Sequence, residues 1–294
     1  MHEVQAKGIL SAQNGMNIYR GCSHGCIYCD ARSTCYQMKH DFEDIEIKVN
    51  APQLLEKALK SKRKKCMIGT GAMSDPYLHL EKELKLTRRC LELIDEYGFG
   101  LAIQTKSDII LRDLDLLKSI NKKTKCVVQM TLTTYDDELC KIVEPNVCVT
   151  SRRAEVLNIM KEEGIPTVCW LTPMLPFIND TEENIRGILN YAKQAKCYGI
   201  MFFDIGMTLR DGDRQYYYEK LDKHFPGLKE RYRKTYGDAY MVPSLNRKYL
   251  NGLVRKFCRE NNMVCDTDKL FAYMAEFEDK LAGEQLSIFD FREQ

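Results

Sequence analysis

The sequence predicts an α/β chain: a partial, TIM-like (β/α)6 barrel followed by a helical C-terminal section. Three observations lead there. Short apolar runs recur, each followed by a polar segment with apolar residues at helical spacing. The runs lack polar alternation, as strands of a parallel sheet covered on both faces require. They make about six units, short of the eight that close a barrel, and from residue 213 they give way to helices rich in Tyr, Lys and Arg.

The units follow in order along the chain. "MNIYR" (16–20) reads as the first strand. "KCMIGTG" (65–71) precedes "LEKELKLTRRCLELIDEYG" (80–98), one helix ending in glycine. "FGLAIQTK" (99–106) precedes "DLDLLKSIN" (113–121), and "KCVVQMTLTT" (125–134) precedes a helix near "TSRRAEVLNIMKEEG" (150–164). "PTVCWLTPM" (166–174) precedes "TEENIRGILNYAKQA" (181–195), with Asn179, Asp180 and Thr181 as N-cap candidates. "YGIMFFDIG" (198–206) makes the last strand. The division is an N-terminal extension at 1–15, the barrel at 16–212, a helical section at 213–281 and a polar tail at 282–294.

Composition narrows the function classes. The 294 residues are 44% apolar and 29% charged, the balance of a globular protein with a sizeable core. The net charge of +2 gives no support for wholesale polyanion binding. The N-terminus lacks the apolar region of a signal peptide, and no run is long enough to cross a bilayer, so a cytoplasmic protein without a membrane partner is expected. In a reducing compartment the 13 cysteines read as thiols and metal ligands rather than a disulfide framework.

"RGCSHGCIYCDARS" (20–33) carries the chemistry. Cys22, Cys26 and Cys29 follow the first strand, at the barrel end where such folds place their sites. Gly21 and Gly25 let the loop turn tightly. Three thiolates can hold three irons of a cubane and leave the fourth open for a non-protein ligand. Two other uses stay open. Cys35 or His24 could complete a zinc site, or the cluster could take an ordinary fourth cysteine. Lys106 ends the third strand, where an interior lysine needs an anion.

The C-x3-C-x2-C spacing, with Tyr28 before the last cysteine, resembles the signature of the radical S-adenosylmethionine (SAM) superfamily. "GTGAMSDPYLHLEKELKLTRRCLELI" (69–94), "TKSDIILRDLDLL" (105–117), "EGIPTVCWLTPMLPFIND" (163–180) and "YLNGLVRKFCREN" (249–261) resemble its spore photoproduct lyase-related, DNA-repair-photolyase-like group. The resemblance covers about residues 15 to 265. It implies a radical SAM barrel in which Cys22, Cys26 and Cys29 hold a [4Fe–4S] cluster and SAM chelates the open iron. Reductive cleavage of SAM would then give a 5′-deoxyadenosyl radical that abstracts hydrogen, with a reductant such as flavodoxin or ferredoxin.

The same comparison implies roles for the SAM pocket. Tyr28 would lie on the adenine side, and Ser74 and Asp75 would bind the SAM ammonium group. Lys106 would meet the SAM carboxylate or ribose, with Arg153 as a second carboxylate candidate. Thr131, and with it Thr133, would reach the ribose. No auxiliary cluster is expected.

Two departures bear on activity. The lyase has a hydrogen-donating cysteine where this chain has Ala72, and a relay tyrosine where it has Asp30. Alanine cannot donate hydrogen, so the lyase's own reaction is not expected. The tail "EQLSIFDF" (284–291) resembles the motif by which DNA polymerases and repair proteins bind the bacterial sliding clamp, through Gln285, Leu286, Ser287, Ile288 and Phe289. A nucleic acid or nucleic-acid lesion is the expected substrate. The alternatives are a peptide or small metabolite, or a non-catalytic metal-stabilised module tethered to the clamp.

Overall fold

In the computed structural model, which describes residues 1–281, six strands form one sheet: β1 (Gly15–Met16), β2 (Met67–Thr70), β3 (Gly100–Thr105), β4 (Cys126–Thr131), β5 (Thr167–Trp170) and β6 (Gly199–Met201). They lie side by side in chain order, and every neighbouring pair is parallel. Each strand therefore returns through a crossover, and the first and last strands do not pair, which leaves the barrel open.

The side-chain period of two divides the sheet into two faces. Ile68, Leu101, Ile103, Val128, Met130, Cys169 and Ile200 share a buried core with the helices. These are α1 (Ala51–Ser61), α2 (Leu86–Glu96), α3 (Leu114–Lys123), α4 (Thr150–Glu162) and α5 (Glu182–Gln194). Met67, Ala102, Val127, Val168 and Met201 point the other way and pack against Leu270 and Met274 of the helix Thr267–Ala275. That helix fills the lower part of the second face. The positions two and four residues further on, Gln104, Gln129 and Thr131, share that face at the strands' C-terminal ends.

The helical C-terminal section is present, with Asp213–His224, Leu228–Tyr236 and Arg247–Glu260 as its first three helices. Tyr217, Tyr218 and Tyr232 are buried with Cys26, Ile27 and Tyr28 in one core, so these three tyrosines support the cysteine loop, whereas Tyr240 and Tyr249 face solvent. A short antiparallel pair, Gly206–Thr208 with Met241–Pro243, joins this section to the barrel rim. Val264 continues the free edge of β6, accepting from Ile200 N–H at 2.8 Å and donating to Tyr198 O at 3.0 Å.

Four local expectations change. "MNIYR" is split: Met16 belongs to the barrel, whereas Tyr19–Arg20 pairs with Glu46–Lys48 in a separate three-stranded sheet that also holds His2–Val4. Helix α1 has no counterpart in the sequence reading, although Leu55 and Leu59, four residues apart, are its buried face. The helix expected over 80–98 breaks at Lys85, whose φ is +52°. The break lets Thr87 N–H reach the buried Glu81 carboxylate at 2.9 Å. "YGIMFFDIG" is strand only over Gly199–Met201, and Phe203 is 58% exposed.

Thr181 is the cap of α5, its side chain accepting from Asn184 N–H at 3.2 Å. Six of the scattered cysteines, Cys90, Cys126, Cys140, Cys169, Cys197 and Cys258, are buried free thiols. No helix among the described residues is long and apolar enough to cross a membrane. The tail residues Gln285, Leu286, Ser287, Ile288 and Phe289 lie outside the described residues.

Candidate active site

The cysteine loop follows the short strand Tyr19–Arg20 and is held by three backbone hydrogen bonds. Cys22 N–H donates to Phe42 O at 3.1 Å, Ile27 N–H to Val143 O at 3.0 Å, and His24 O accepts from Asn146 N–H at 3.1 Å. Gly21 turns at φ +88°, and a Cβ there would stand 2.5 Å from Phe42 O, so no larger residue fits. Cys22, Cys26 and Cys29 line a cavity of about 390 Å³. Ala72–Asp75, Gln104–Lys106 and Thr131 also line it, from the C-terminal ends of β2, β3 and β4.

The spread of the three sulfurs bears on the metal. Four thiolates around one zinc ion, each about 2.3 Å from it, stand about 3.8 Å apart. Among the described residues, the group of three His, Cys or acidic side chains with donor atoms all within 4.8 Å of one another is His2, His40 and Asp44. Cys22, Cys26 and Cys29 do not form such a group, with or without His24 or Cys35. Cys35 is exposed, its sulfur 3.1 Å from Arg210 Nη1. The three thiols do not converge on one ion in this structure, and their all-sulfur donor set is of the kind that suits iron–sulfur.

Burial pushes the thiols up, Cys26 to about 12, with Cys22 and Cys29 also raised. They bind as thiolates only when a cation replaces the proton.

Lys106 stands over the cluster loop, its Nζ 3.7 Å from Cys26 Sγ and 5.2 Å from the centre of the Tyr28 ring. Burial alone would lower its ammonium. Cys26, Tyr28 and Glu144 outweigh that and raise it well above its ordinary value. Its ammonium has Glu144 as a carboxylate neighbour at 3.7 Å and lines the cavity beside the three cysteines.

Glu144 was not singled out from the sequence, and it organises this wall. Its carboxylate is fully buried, accepts from Tyr28 Oη and Arg153 Nη2, and lies 3.7 Å from Lys106 Nζ. Burial would raise its pKa, but Arg153 and Lys106 hold it well below the usual carboxylate range. Its partners come from the cysteine loop, β3 and α4, so no local pattern marks it. The available signal is a lone glutamate in "KIVEPNV" (141–147), inside an apolar stretch.

The sequence-predicted residues divide accordingly. Tyr28, Ser74, Asp75, Lys106 and Thr131 all line the cavity. Ser74 Oγ donates to Gly21 O at 2.6 Å, tying the second strand's loop to the cysteine loop. Asp75 is a hub, accepting from Tyr77 N–H, Thr105 Oγ1 and Lys106 N–H at 2.7–2.8 Å. Arg153 stands behind the wall: fully buried, it donates to Thr131 O at 2.7 Å and Cys148 O at 2.9 Å and pairs with Glu144. It acts on the cavity only through Glu144 and the carbonyl of Thr131. Thr133 does not line the cavity; its carbonyl accepts from Asn179 and Asn184.

Gly71 shapes the same rim. Its φ is +100°, and a Cβ would fall 2.0 Å from Gln104 O. Gly71→Ala is expected to force β3 and the 71–75 loop apart and weaken SAM binding at least tenfold. Equilibrium dialysis with labelled SAM measures this, and unchanged affinity would show that the close approach is not needed.

The sequence profile of the radical SAM superfamily matches residues 16–192. An uncharacterised protein of Methanocaldococcus jannaschii, MJ0683, is 35% identical over 176 residues, 59% of this chain and 65% of that one. The match thus spans just under two thirds of that relative's length. An uncharacterised protein of Mycobacterium tuberculosis, Rv2578c, is 27% identical over 258 residues, covering 85% of this chain and 75% of that one. Among solved structures, spore photoproduct lyase complexed with dinucleoside spore photoproduct superposes with a TM-score of 0.62 at 16% identity, over 87% of this chain and 76% of that one. A lyase variant with bound AdoMet and the same dinucleoside gives 0.59 at 16% identity, over 84% and 73%. With the profile spanning most of the chain and the fold shared, the chain belongs to the radical SAM superfamily, a family of enzymes built on a [4Fe–4S] cluster and S-adenosylmethionine.

Proposed function

We propose that this protein abstracts hydrogen from a nucleic-acid substrate, a damaged base in particular, by a route other than that of spore photoproduct lyase. A [4Fe–4S] cluster with SAM supplies the radical chemistry. The chain's part is to hold the reacting groups close and keep water away. Cys22, Cys26 and Cys29 would ligate the cluster. Lys106 would offer its ammonium to the SAM carboxylate or ribose, Tyr28 its ring to the adenine side, and Thr131 a hydroxyl. Ser74 and Asp75 order the loop on which the ammonium group would rest.

The carrying observation is an aromatic cluster that reaches the cavity through Phe203. Phe203 lines the cavity and is 58% exposed. Its ring lies 6.2 Å from Trp170 and 6.3 Å from Phe271, and Phe271 is itself 45% exposed. Such a surface receives a flat, weakly polar group, and stacking of a base on an aromatic side chain is worth about 1–3 kcal/mol. Structures of similar fold hold a dinucleoside, which agrees with this choice.

The lyase's route is disfavoured on this chain's own residues. The thiols lining the cavity are the three cluster cysteines, and Ala72 lies among the lining residues. Asp30 instead accepts from Tyr36 Oη at 3.1 Å and pairs with Arg210 at 3.4 Å, a polar corner for orienting substrate. A cytoplasmic location, a flavodoxin or ferredoxin reductant, and recruitment to the sliding clamp through Gln285–Phe289 belong to the same proposal.

The test is 5′-deoxyadenosine release under anaerobic reduction, with ultraviolet-damaged DNA, undamaged DNA or a peptide mixture present. Damaged DNA is expected to stimulate release, and Phe203→Ala with Phe271→Ala to raise its KM about tenfold. Stimulation by peptide alone, with basal SAM cleavage intact, would reject the nucleic-acid substrate.

A further inference from the structure

Away from the cavity, the small N-terminal sheet gathers a second set of donors. His2 lies on the strand His2–Val4, opposite Glu46 in parallel register. His40 and Asp44 come from the segment that leads into the strand Glu46–Lys48. The donor atoms of His2, His40 and Asp44 all lie within 4.8 Å of one another. His2 Nδ1 and Asp44 Oδ2 are 3.0 Å apart, and the two imidazole rings meet edge to face at 4.8 Å. Neighbouring nitrogen and oxygen ligands on tetrahedral zinc, each about 2.0–2.1 Å from the ion, stand about 3.3 Å apart.

His40 is the decisive residue. Its Nδ1 sits 3.0 Å from Asp41 O, so the proton belongs on Nδ1, donated to that carbonyl. In the neutral ring Nε2 is then the nitrogen with the lone pair. That atom is buried and has no hydrogen-bond partner, a costly state for an imidazole nitrogen. A ring held by one N–H on a backbone carbonyl, with its other nitrogen bare, has the arrangement of a metal-ligating histidine. Glu46 Oε2, 3.8 Å from His40 Nε2, stands ready as a fourth donor. Asp44 Oδ2, the oxygen that meets His2 Nδ1, is the carboxylate atom offered to the ion.

We propose that His2, His40 and Asp44, completed by Glu46, bind one divalent ion of the zinc type, separate from the cluster. Imidazole with carboxylate is a borderline donor set that suits zinc. The ion would act as a staple. It would join the N-terminal strand to residues 40–46, and Phe42 in that segment accepts the Cys22 N–H that shapes the cysteine loop. The loaded site would therefore slow loss of the cluster.

The test is zinc content of the full chain after equilibration with one equivalent of Zn²⁺ under anaerobic conditions and desalting. One zinc per chain is expected, retained when Cys22, Cys26 and Cys29 are all changed to Ser and lost in His40→Ala. Circular dichroism checks that each variant is folded. As a second measurement needing no His40 variant, Co²⁺ bound to the three-Ser chain should show visible d–d bands without a thiolate charge-transfer band. Absence of zinc, zinc that survives His40→Ala in a folded chain, or zinc lost only with the cysteines would each overturn the site. Because the three-Ser chain binds no cluster, this result is independent of whether the radical chemistry is found.

Discussion

Glu144→Ala is expected to lower folding stability by about 3–5 kcal/mol, because removing one partner leaves a buried charge uncompensated. Arg153 is fully buried, and Glu144 is the carboxylate it pairs with. Tyr28 Oη loses its acceptor and Lys106 its neighbouring anion in the same change. Urea unfolding of the cluster-free chain under anaerobic conditions measures the loss. The double variant Glu144→Leu with Arg153→Leu is expected to be less destabilised than the sum of its single changes, since neither charge is then stranded. Additive losses, or a Glu144→Ala loss under about 1 kcal/mol, would mean that the pair is hydrated in solution. The conservative Glu144→Gln keeps the shape and isolates the charge; the loss in that variant is expected to be smaller.

Cys26→Ala is expected to reduce bound iron from about four per chain to near none and to abolish 5′-deoxyadenosine formation. Cys26 is buried in the core formed by the cysteine loop and the C-terminal helices, with Lys106 Nζ 3.7 Å from its sulfur. Removing it opens one corner of the cluster in a place where no other described thiol lines the cavity except Cys22 and Cys29. Cys35→Ala is the control and should leave both quantities unchanged, since Cys35 is exposed and faces Arg210. Iron retained in Cys26→Ala, or lost in Cys35→Ala, would overturn the three-cysteine assignment and return a four-cysteine cluster to consideration.

Much of the barrel could be read from the chain because its signals are local. Strands β2 to β5 are apolar runs bounded by turn residues, and α3 to α5 have caps or leucines at helical spacing. The errors fall where a distant partner overrides the local pattern. Lys85 breaks a continuous helical periodicity because Glu81 is buried under Tyr19 and Arg112. Tyr19–Arg20 leaves the first strand because its edge is taken by Glu46–Lys48. The strand after residue 198 stops early, and Phe203 turns outward to the aromatic cluster.

The site shows the same division. Cysteine spacing is a property of one loop, so Cys22, Cys26 and Cys29 can be put forward as ligands without any structure. Lys106 was legible as a polar residue ending an apolar strand, and Ser74 and Asp75 as a turn at the end of another. Asp75, however, turns out to order the third strand's loop through Thr105 and Lys106, a role that depends on residues 30 or more positions away.

What the sequence determined by itself was the family and the alternation of strands and helices, and it put forward Cys22, Cys26 and Cys29 as the candidate cluster ligands, all carried by spacing within short segments. Tertiary structure alone decided that Arg153 serves Glu144 instead of facing the cavity, and that Glu144 joins three elements. It also decided that Trp170, Phe203 and Phe271 meet, with Phe203 on the cavity wall, and that His2, His40 and Asp44 converge. The physical reason is common to these cases. Charge pairing, stacking and metal coordination act over a few ångströms in space, and only the folded chain brings such distant positions that close.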